Sequence, residues 1–514
     1  MATNSKNTKS TNKYNKGTQP AKKKRRSKKE TKLIKTLKVI GYILCAIMFV
    51  SGVVFAGFLA KLKMIPISYM LVGSFVFVAI TFLFFLAQKN VTAGLITKVV
   101  AIGATCIFLI GCNYVHYSYK KINKMTGVKT KVDSIHVYVL KDDPAENVLD
   151  AKDYDFGILE TLDRENTNTV IGEIQDEIEQ SLFVQEYETA TGLVRGLYDG
   201  EVGAIILNTA YEGFITETEG YEDFQSRVRS ISFKDIVTEL QGSVDNDDEA
   251  VKDDVFTIYI SGVDVGGKPE NNSNSDVNIL LTVNKNTRQI LMINTPRDFY
   301  VPLSISNGAY DKLTHAGIYG TDVSADTLGM LYDVKVSGYV KVNFTGFEKI
   351  INALDGVNVY SEYAFSAHGY SFQKGYNQLD GKGALIFARQ RKMFSDGDRQ
   401  RGKNQMAVIK AVIEDLASSD MLKNYKSVLD EISDSMVTSV SYDEISDLAQ
   451  FQLSDMKPWD IQTYSVNGSD SMNVTYSGGS EMLYVMVPNQ DTVNQAKQYI
   501  KDMYDNKKIT VTEE

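Results

Sequence analysis

The stretch VFTIYISGVDVGGKPENNSNSDVNILLTVNKNTRQILMINTPRD, residues 255–298, contains three apolar runs with charged residues at their ends. FTIYISG leads to Asp264, Asp276 opens VNILLTVN, and QILMINTP leads to Arg297 and Asp298. Such runs predict strands. If the first two strands are neighbours, the carboxylates of Asp264 and Asp276, twelve residues apart, meet at one end of a sheet.

Asp264 and Asp276 are therefore candidate ligands for a hard cation. Mg²⁺ is usually held by one or two carboxylates and completes its octahedron with water and phosphate oxygens. The arginine nearby makes a phosphate ester the expected substrate group. On this motif alone, the alternative is two aspartates that cap strands in solvated turns.

A second charged cluster lies in IFARQRKMFSDGDRQRGKNQ, residues 386–405. Its charged and polar residues include Arg389, Arg391, Asp398, Arg399, Arg401 and Gln405. At strand spacing, Arg389 and Arg391 share one face. Guanidinium groups bind phosphate in a bidentate manner, so the cluster predicts a phosphate clamp. A solvated basic strand end is the alternative.

Together these residues resemble the LytR-CpsA-Psr family of bacterial cell envelopes. The matching motifs follow the family's order from residue 255 to about residue 415: SGVD, NSD, TPRD, DKLTHA, GYVKVNFTGFEKIINALDGVNV, KGYNQLDGKGAL, FARQRK and DRQRGKNQ. One motif differs. Where the family usually has Arg-Ser-Asp, this chain has Asn274, Ser275 and Asp276.

The resemblance implies a role for each candidate. Asp264 and Asp276 would hold Mg²⁺ against a pyrophosphate. Four arginines would clamp the phosphate oxygens as catalytic residues: Arg297, Arg389, Arg391 and Arg401. Arg399 does not fit the family's Asp-x-x-Arg spacing, which selects Arg401.

Four further residues complete the predicted site. Lys312, Asp398 and Gln405 would contribute to substrate binding, with Gln405 as a polar partner and Asp398 bracing Arg401. Asp298 either orients an arginine or accepts the proton of the acceptor hydroxyl, and the sequence leaves both roles open.

The resemblance also implies the reaction: transfer of a capsular polysaccharide or related glycopolymer from a polyprenyl-pyrophosphate carrier to peptidoglycan, through a phosphodiester. Positioning and charge neutralisation suffice for phosphoryl transfer, so no covalent enzyme intermediate is needed. The membrane and other capsule-assembly proteins are the further partners implied. A hydrolase or pyrophosphatase acting on the lipid-linked precursor is one alternative, since water can replace the acceptor hydroxyl.

A membrane-bound transcriptional attenuator of capsule genes is another alternative. Its nucleic-acid element would be the basic N-terminal tail, which carries no helix-turn-helix pattern, so nucleic acid is not the expected partner. A lipid carrier also needs an apolar groove. NFTGFEKIINAL and MAVIKAVI are candidates to line it, and ordinary core packing is the other interpretation.

The N-terminal part of the chain indicates a multi-pass membrane protein. Residues 1–38 carry fourteen Lys or Arg and one acid, whereas the whole chain has a formal net charge of -9. This tail is predicted to be disordered and cytoplasmic, because basic residues before an apolar span favour the inner side. Apolar spans at 39–60, 65–87 and 91–115 each suffice to cross a bilayer. Residues beyond about 116 are then exterior.

The exterior portion is predicted to be α/β. Alternating strand and helix patterns over 131–241 indicate an accessory domain, and the acidic residues 242–254 indicate a linker. Residues 255–514 predict a mixed sheet flanked by helices, which the resemblance identifies as an α-β-α domain. Within it, Thr345 is the expected N-cap of TGFEKIINAL, and MLYVMVPN is the expected last buried strand. All three cysteines lie in the spans, so no exterior disulfide framework is expected.

Overall fold

The computed structural model describes residues 28–239, 253–263, 269–391, 393–394, 397–418 and 421–512. Residues 1–27 of the tail, residues 242–252 of the linker and Asp264 lie outside the described residues, as does the side chain of Asp398. The prediction of disorder was wrong for residues 28–38, which are helical. The described part of the chain forms two compact units, residues 28–57 with 70–112, and residues 58–69 with the described residues of 113–514.

Long apolar helices form the N-terminal part of the described chain. They are α1 (Lys28–Leu62), α2 (Ile67–Ala87) and α3 (Val91–Met125). Each coincides with one predicted span, and each is long and apolar enough to cross a membrane. α1 and α3 extend past the predicted spans through residues that are largely polar, because a helix satisfies its backbone hydrogen bonds in water as well as in lipid.

Residues 130–239 form a sheet of their own, and we call this region the accessory domain. Its described elements are β1 (Thr130–Leu140), β2 (Asp155–Leu159), α4 (Arg164–Ile178), β3 (Phe183–Tyr187), α5 (Ala190–Tyr198), β4 (Ala204–Asn208), α6 (Glu212–Glu217), α7 (Phe224–Arg227) and β5 (Val228–Glu239). In the described residues the sheet order is β3-β2-β4-β1-β5, with β1 antiparallel to both neighbours and β2 parallel to both of its own. This confirms the predicted α/β class.

The C-terminal domain follows. Its strands in the described ranges are β6 (Val255–Val263), β7 (Val277–Asn284), β8 (Gln289–Asn294), β9 (Tyr300–Pro302), β10 (Tyr310–Lys312), β11 (Gly338–Asn343), β12 (Val357–Ser361), β13 (Phe365–Ala367), β14 (Tyr370–Phe372), β15 (Gly375–Leu379), β16 (Met436–Thr438), β17 (Asp460–Ser465), β18 (Gly468–Val474) and β19 (Met482–Pro488). Its helices there are α8 (Ala316–Tyr319), α9 (Thr321–Tyr332), α10 (Phe344–Ala353), α11 (Gly381–Arg389), α12 (Asp398–Leu416), α13 (Met421–Ser435), α14 (Tyr442–Asp455) and α15 (Gln490–Tyr504).

A mixed sheet of order β16-β11-β6-β7-β8-β17 organises the described part of this domain. β6 is parallel to β11 and antiparallel to β7, so the mixed sheet predicted from the sequence is confirmed. Every residue of β7 and β8 is buried, as expected when both faces of a sheet are covered. The pairing of Gly262 with Val277 brings the end of β6 beside the start of β7. This is the neighbour relation that the aspartate hypothesis requires.

Three local predictions were wrong. The N-cap of α10 is Asn343, whose side chain accepts the Gly346 N–H at 2.6 Å, because the helix begins before Thr345. β19 forms as a strand, but Val485 is its one buried residue, because β19 pairs with β18 in a separate ribbon and not with the central sheet. Arg389 ends a helix instead of lying in a strand, because Asp380 caps α11 at Gly383 and the helix continues through IFAR.

Candidate functional site

A polar cleft of about 390 Å³ lies at the end of the sheet where β7 begins. We call it the charged cleft. Its walls are formed by Gly213, Thr216, Glu217, Asn274, Asp276, Arg297, Phe344, Arg389, Arg391, Arg401 and Gln405. The fold therefore brings six of the predicted site residues to one cleft from positions far apart in sequence.

Arg297 is at the centre of a chain of ion pairs. Its Nη1 lies 2.6 Å from Asp276 Oδ1 and 2.7 Å from Glu217 Oε1. Its Nε lies 3.6 Å from Asp298 Oδ2. Burial acts to lower the pKa of Arg297, but the three carboxylates outweigh it and raise that pKa. Arg297 therefore stays cationic and its orientation is fixed from several sides.

Asp298 lies behind Arg297. Lys312 Nζ contacts its Oδ1 at 3.2 Å, and only about a tenth of the Asp298 side chain is exposed. Burial acts to raise the pKa of Asp298, but Arg297 and Lys312 outweigh this effect and lower the pKa. Asp298 is thus held as a carboxylate between two cations.

Another wall of the charged cleft is cationic. Arg389 is the last residue of α11, and its guanidinium carbon lies 5.0 Å from the centre of the Phe344 ring. Arg391 lies just after that helix, Arg401 lies in the first turn of α12, and Gln405 follows one turn later. The strand spacing assumed for Arg389 and Arg391 was wrong, yet both line the charged cleft as expected.

An apolar cavity of about 60 Å³ adjoins the charged cleft. The two share Phe344, Arg389 and Gln405 as lining residues. The rest of the cavity is lined by Ile260, Gly262, Val277, Val342, Phe347, Leu385, Ala388 and Ile409. Both segments suggested as groove-lining from the sequence contribute, through Phe344 and Phe347 in one and Ile409 in the other.

The predicted Mg²⁺ site stays a prediction. Asp264, one of its two proposed ligands, lies outside the described residues. Among the residues that the structure does describe, no group of three or more His, Cys, Asp or Glu side chains converges on one point. Asp276 and Glu217 supply only oxygen donors, and such a donor set fits a hard cation that takes its other ligands from water and phosphate.

The part of the cleft wall that comes from the accessory domain was not predicted from the sequence. Gly213, Thr216 and Glu217 belong to α6, and Glu217 lies eighty residues before its partner Arg297. An acidic residue at the end of a short helix resembles many solvated surface positions. No local signal could have separated Glu217 from them.

The model of the LytR_cpsA_psr family matches residues 218–499, more than half of the chain. The chain belongs to this family. A relative from Oceanobacillus iheyensis named polyisoprenyl-teichoic acid--peptidoglycan teichoic acid transferase TagU is 35% identical over 202 residues, covering 38% of this chain and 62% of that protein. The Bacillus subtilis (strain 168) protein of the same name is 34% identical over 198 residues, covering 38% and 64%.

The chain thus spans less than two thirds of the length of these two relatives. Among solved structures, the crystal structure of B. subtilis TagU shares 27% identity and covers 51% of this chain and all of that one, with a TM-score of 0.39. The family match begins at residue 218, one residue after Glu217. Most of the accessory domain, including α6, therefore lies before the matched region.

Proposed function

We propose that this chain is a membrane-anchored phosphotransferase that attaches a capsular polysaccharide or related glycopolymer from a polyprenyl-pyrophosphate carrier to peptidoglycan. The observation that carries the proposal is the shared boundary of the charged cleft and the apolar cavity. A pyrophosphate joined to a hydrocarbon tail needs these two environments side by side. The names of the TagU relatives, which specify polyisoprenyl-linked teichoic acid and peptidoglycan, support the same class of reaction.

The cationic wall would hold the pyrophosphate. Arg389, Arg391 and Arg401 each present a planar fork that matches phosphate oxygens, and Gln405 adds a neutral hydrogen-bonding group. Arg389 also lies at the boundary with the apolar cavity. It would contact the phosphate nearest to the lipid, where the charge of the leaving group develops.

The reaction then needs one bond exchange. The acceptor hydroxyl oxygen of peptidoglycan forms a bond to the glycan-side phosphorus, and the bond from that phosphorus to the bridging oxygen breaks. Polyprenyl monophosphate leaves with the bridging oxygen, and the hydroxyl proton passes to solvent or a base. The product is a phosphodiester between glycan and peptidoglycan.

Asp298 would orient Arg297 instead of accepting this proton. It pairs with both Arg297 and Lys312, and its pKa is lowered, which makes it a weak base. Lys312 would act indirectly, by fixing Asp298. Of the two roles that the sequence left open for Asp298, the geometry supports the first.

Asp276, together with Asp264 as predicted from the sequence, would hold Mg²⁺. A bound Mg²⁺ would neutralise negative charge on the pyrophosphate. Asp276 is also bonded to Arg297. It would therefore align the guanidinium with the phosphate whether or not the ion is bound.

The proposed orientation has the N-terminus in the cytoplasm and the accessory and C-terminal domains outside the cell. The basic tail before three apolar helices supports it. Protease added to intact cells after removal of the wall should digest the chain beyond about residue 120. Protection of that part would contradict the orientation.

Transfer is tested with the full-length chain in lipid nanodiscs, mixed with a polyprenyl-pyrophosphate-linked oligosaccharide, Mg²⁺ and a peptidoglycan fragment. The expected products are glycosylated fragment and polyprenyl monophosphate, and chelation should stop both. Release of free glycan phosphate regardless of acceptor would favour the hydrolase. Salt-sensitive, sequence-specific DNA binding without lipid turnover would favour the attenuator.

A further inference from the structure

Asn274 presents an unexplained amide in the wall of the charged cleft. Its side chain is buried, with the residue only 6% exposed. Neither its Oδ1 nor its Nδ2 has a hydrogen-bond partner among the described residues. Buried polar groups are nearly always paired, because an unpaired one loses its bonds to water without replacement. The amide of Asn274 therefore needs a partner from a bound molecule, because the described residues supply none.

The backbone on either side of Asn274 is fixed. The Ser273 N–H donates to Gly317 O at 3.2 Å, and the Ser275 N–H donates to Thr314 O at 3.1 Å. A methyl group at Gly317 would lie 2.4 Å from Ser273 O, so the two segments are in close contact. Asn274 is thus held in place and cannot reach another partner by a small backbone shift.

The accessory domain closes the other side. A Cβ atom at Gly213 in α6 would lie 3.0 Å from Asn274 Nδ2 and 3.2 Å from its Cγ. Thr216 and Glu217 of the same helix line the charged cleft beside it. Asn274 therefore lies in a small recess between the two domains, two residues before Asp276.

The chemistry of the amide restricts what it can bind. Its nitrogen donates and its oxygen accepts, so a partner that satisfies both atoms must itself accept and donate. A phosphate dianion accepts only. A sugar hydroxyl or acetamido group does both, and the sugar that follows the pyrophosphate in the carrier lies next to the phosphate groups.

We propose that Asn274, framed by α6 of the accessory domain, is a specificity-determining residue that binds a hydroxyl or acetamido group of the first sugar of the donor. The inference rests on the proposed function, since it places the pyrophosphate in the charged cleft. It adds a neutral sugar subsite and gives the accessory domain a part in forming it.

The test compares two ligands on the full-length chain in nanodiscs by isothermal titration calorimetry. One is a short-chain polyprenyl pyrophosphate without sugar, and the other is the same carrier with one acetamido sugar. Asn274→Leu removes both hydrogen-bonding atoms at nearly constant volume. It should weaken binding of the sugar-bearing carrier about tenfold, the loss expected for about one hydrogen bond, and change binding of the bare carrier less than twofold.

Two further variants sharpen the test. Gly213→Ala adds a methyl group that would lie 3.0 Å from Asn274 Nδ2 and displace the amide. It should produce the same selective loss of affinity for the sugar-bearing carrier, to a smaller extent. Asn494→Ala, on the exposed face of α15, is the matched control and should leave both affinities unchanged. Thermal denaturation gives a second readout. Asn274→Leu should keep or raise the melting temperature of the ligand-free protein, because it removes an unpaired amide.

Equal weakening of both ligands, or no weakening of either, would overturn the sugar subsite. So would a lower melting temperature for Asn274→Leu, since that would show an internal structural role for the amide. Wild-type protein that binds neither carrier would overturn the proposed function as well. That outcome is distinguishable, because it appears before any variant is compared.

Discussion

The two walls of the charged cleft differ in charge and in origin. One wall carries Arg389, Arg391 and Arg401, which come from a short segment of the C-terminal domain. The other carries Asp276, Arg297 and Glu217, where acids outnumber the cation and one of them comes from the accessory domain. In the proposed function, the first wall binds the anionic pyrophosphate directly. The second wall would orient Arg297 and hold the proposed metal ion.

The largest expected effect lies in the acidic wall. Asp276→Ala removes the closest partner of Arg297 and a proposed Mg²⁺ ligand, and should lower the transfer rate at least a hundredfold, about 2.7 kcal/mol or more of transition-state stabilisation. The fold should survive, because Asp276 lies immediately before β7 and outside its buried run. Radiolabelled glycan transfer measures the rate, with exposed Asp153→Ala as control. Full activity of the Asp276→Ala variant would show that Asp276 has no role in transfer.

Arg389→Lys tests the cationic wall. Lysine keeps the charge but loses the bidentate fork and the guanidinium contact with Phe344, so the rate should fall at least tenfold, about 1.4 kcal/mol. The same assay applies, with Arg399→Lys as a matched control from the neighbouring segment. Equal rates for Arg and Lys at position 389 would indicate a solvated basic surface in place of a phosphate clamp.

Asp298 tests how far the ion pairs around Arg297 contribute to the free energy of unfolding. Its lowered pKa means that its carboxylate contributes stability above the pKa of the unfolded chain, about 3.9, and that this contribution is lost as the pH falls through the lower folded value. Asp298→Asn should cost about 3 kcal/mol at pH 7. The gap in melting temperature from wild type should narrow below about pH 4. A gap that stays constant with pH would show that charge is not the cause.

The smallest effect is expected at Glu217. This carboxylate competes with a bound phosphate for Arg297, so Glu217→Gln should tighten binding of a polyprenyl pyrophosphate about threefold, or about 0.6 kcal/mol. Calorimetry with the full-length chain measures the change. Exposed Glu219→Gln, two residues further on, is the control. Weaker binding in Glu217→Gln would show that the acid supports the donor site instead of competing for Arg297.

The two walls of the charged cleft also differ in how far the sequence predicts them. The arginines of the cationic wall and Gln405 lie within seventeen positions, so their clustering was visible although Arg389 lies in a helix and not in a strand. The meeting of β6 and β7 followed from two apolar runs with charged ends. Glu217 and the unpaired amide of Asn274 were not predictable, because both depend on how α6 packs against a loop more than fifty residues away.

In the proposed reaction, the charged cleft transfers a glycan together with one phosphate. Radioactive phosphorus placed only at the glycan-side position of the donor pyrophosphate tests this transfer. We expect the label to move to the peptidoglycan fragment in a linkage stable to phosphomonoesterase, while unlabelled polyprenyl monophosphate is released. Label that remains on the lipid, or that appears as soluble phosphate with no glycan on the fragment, would contradict it.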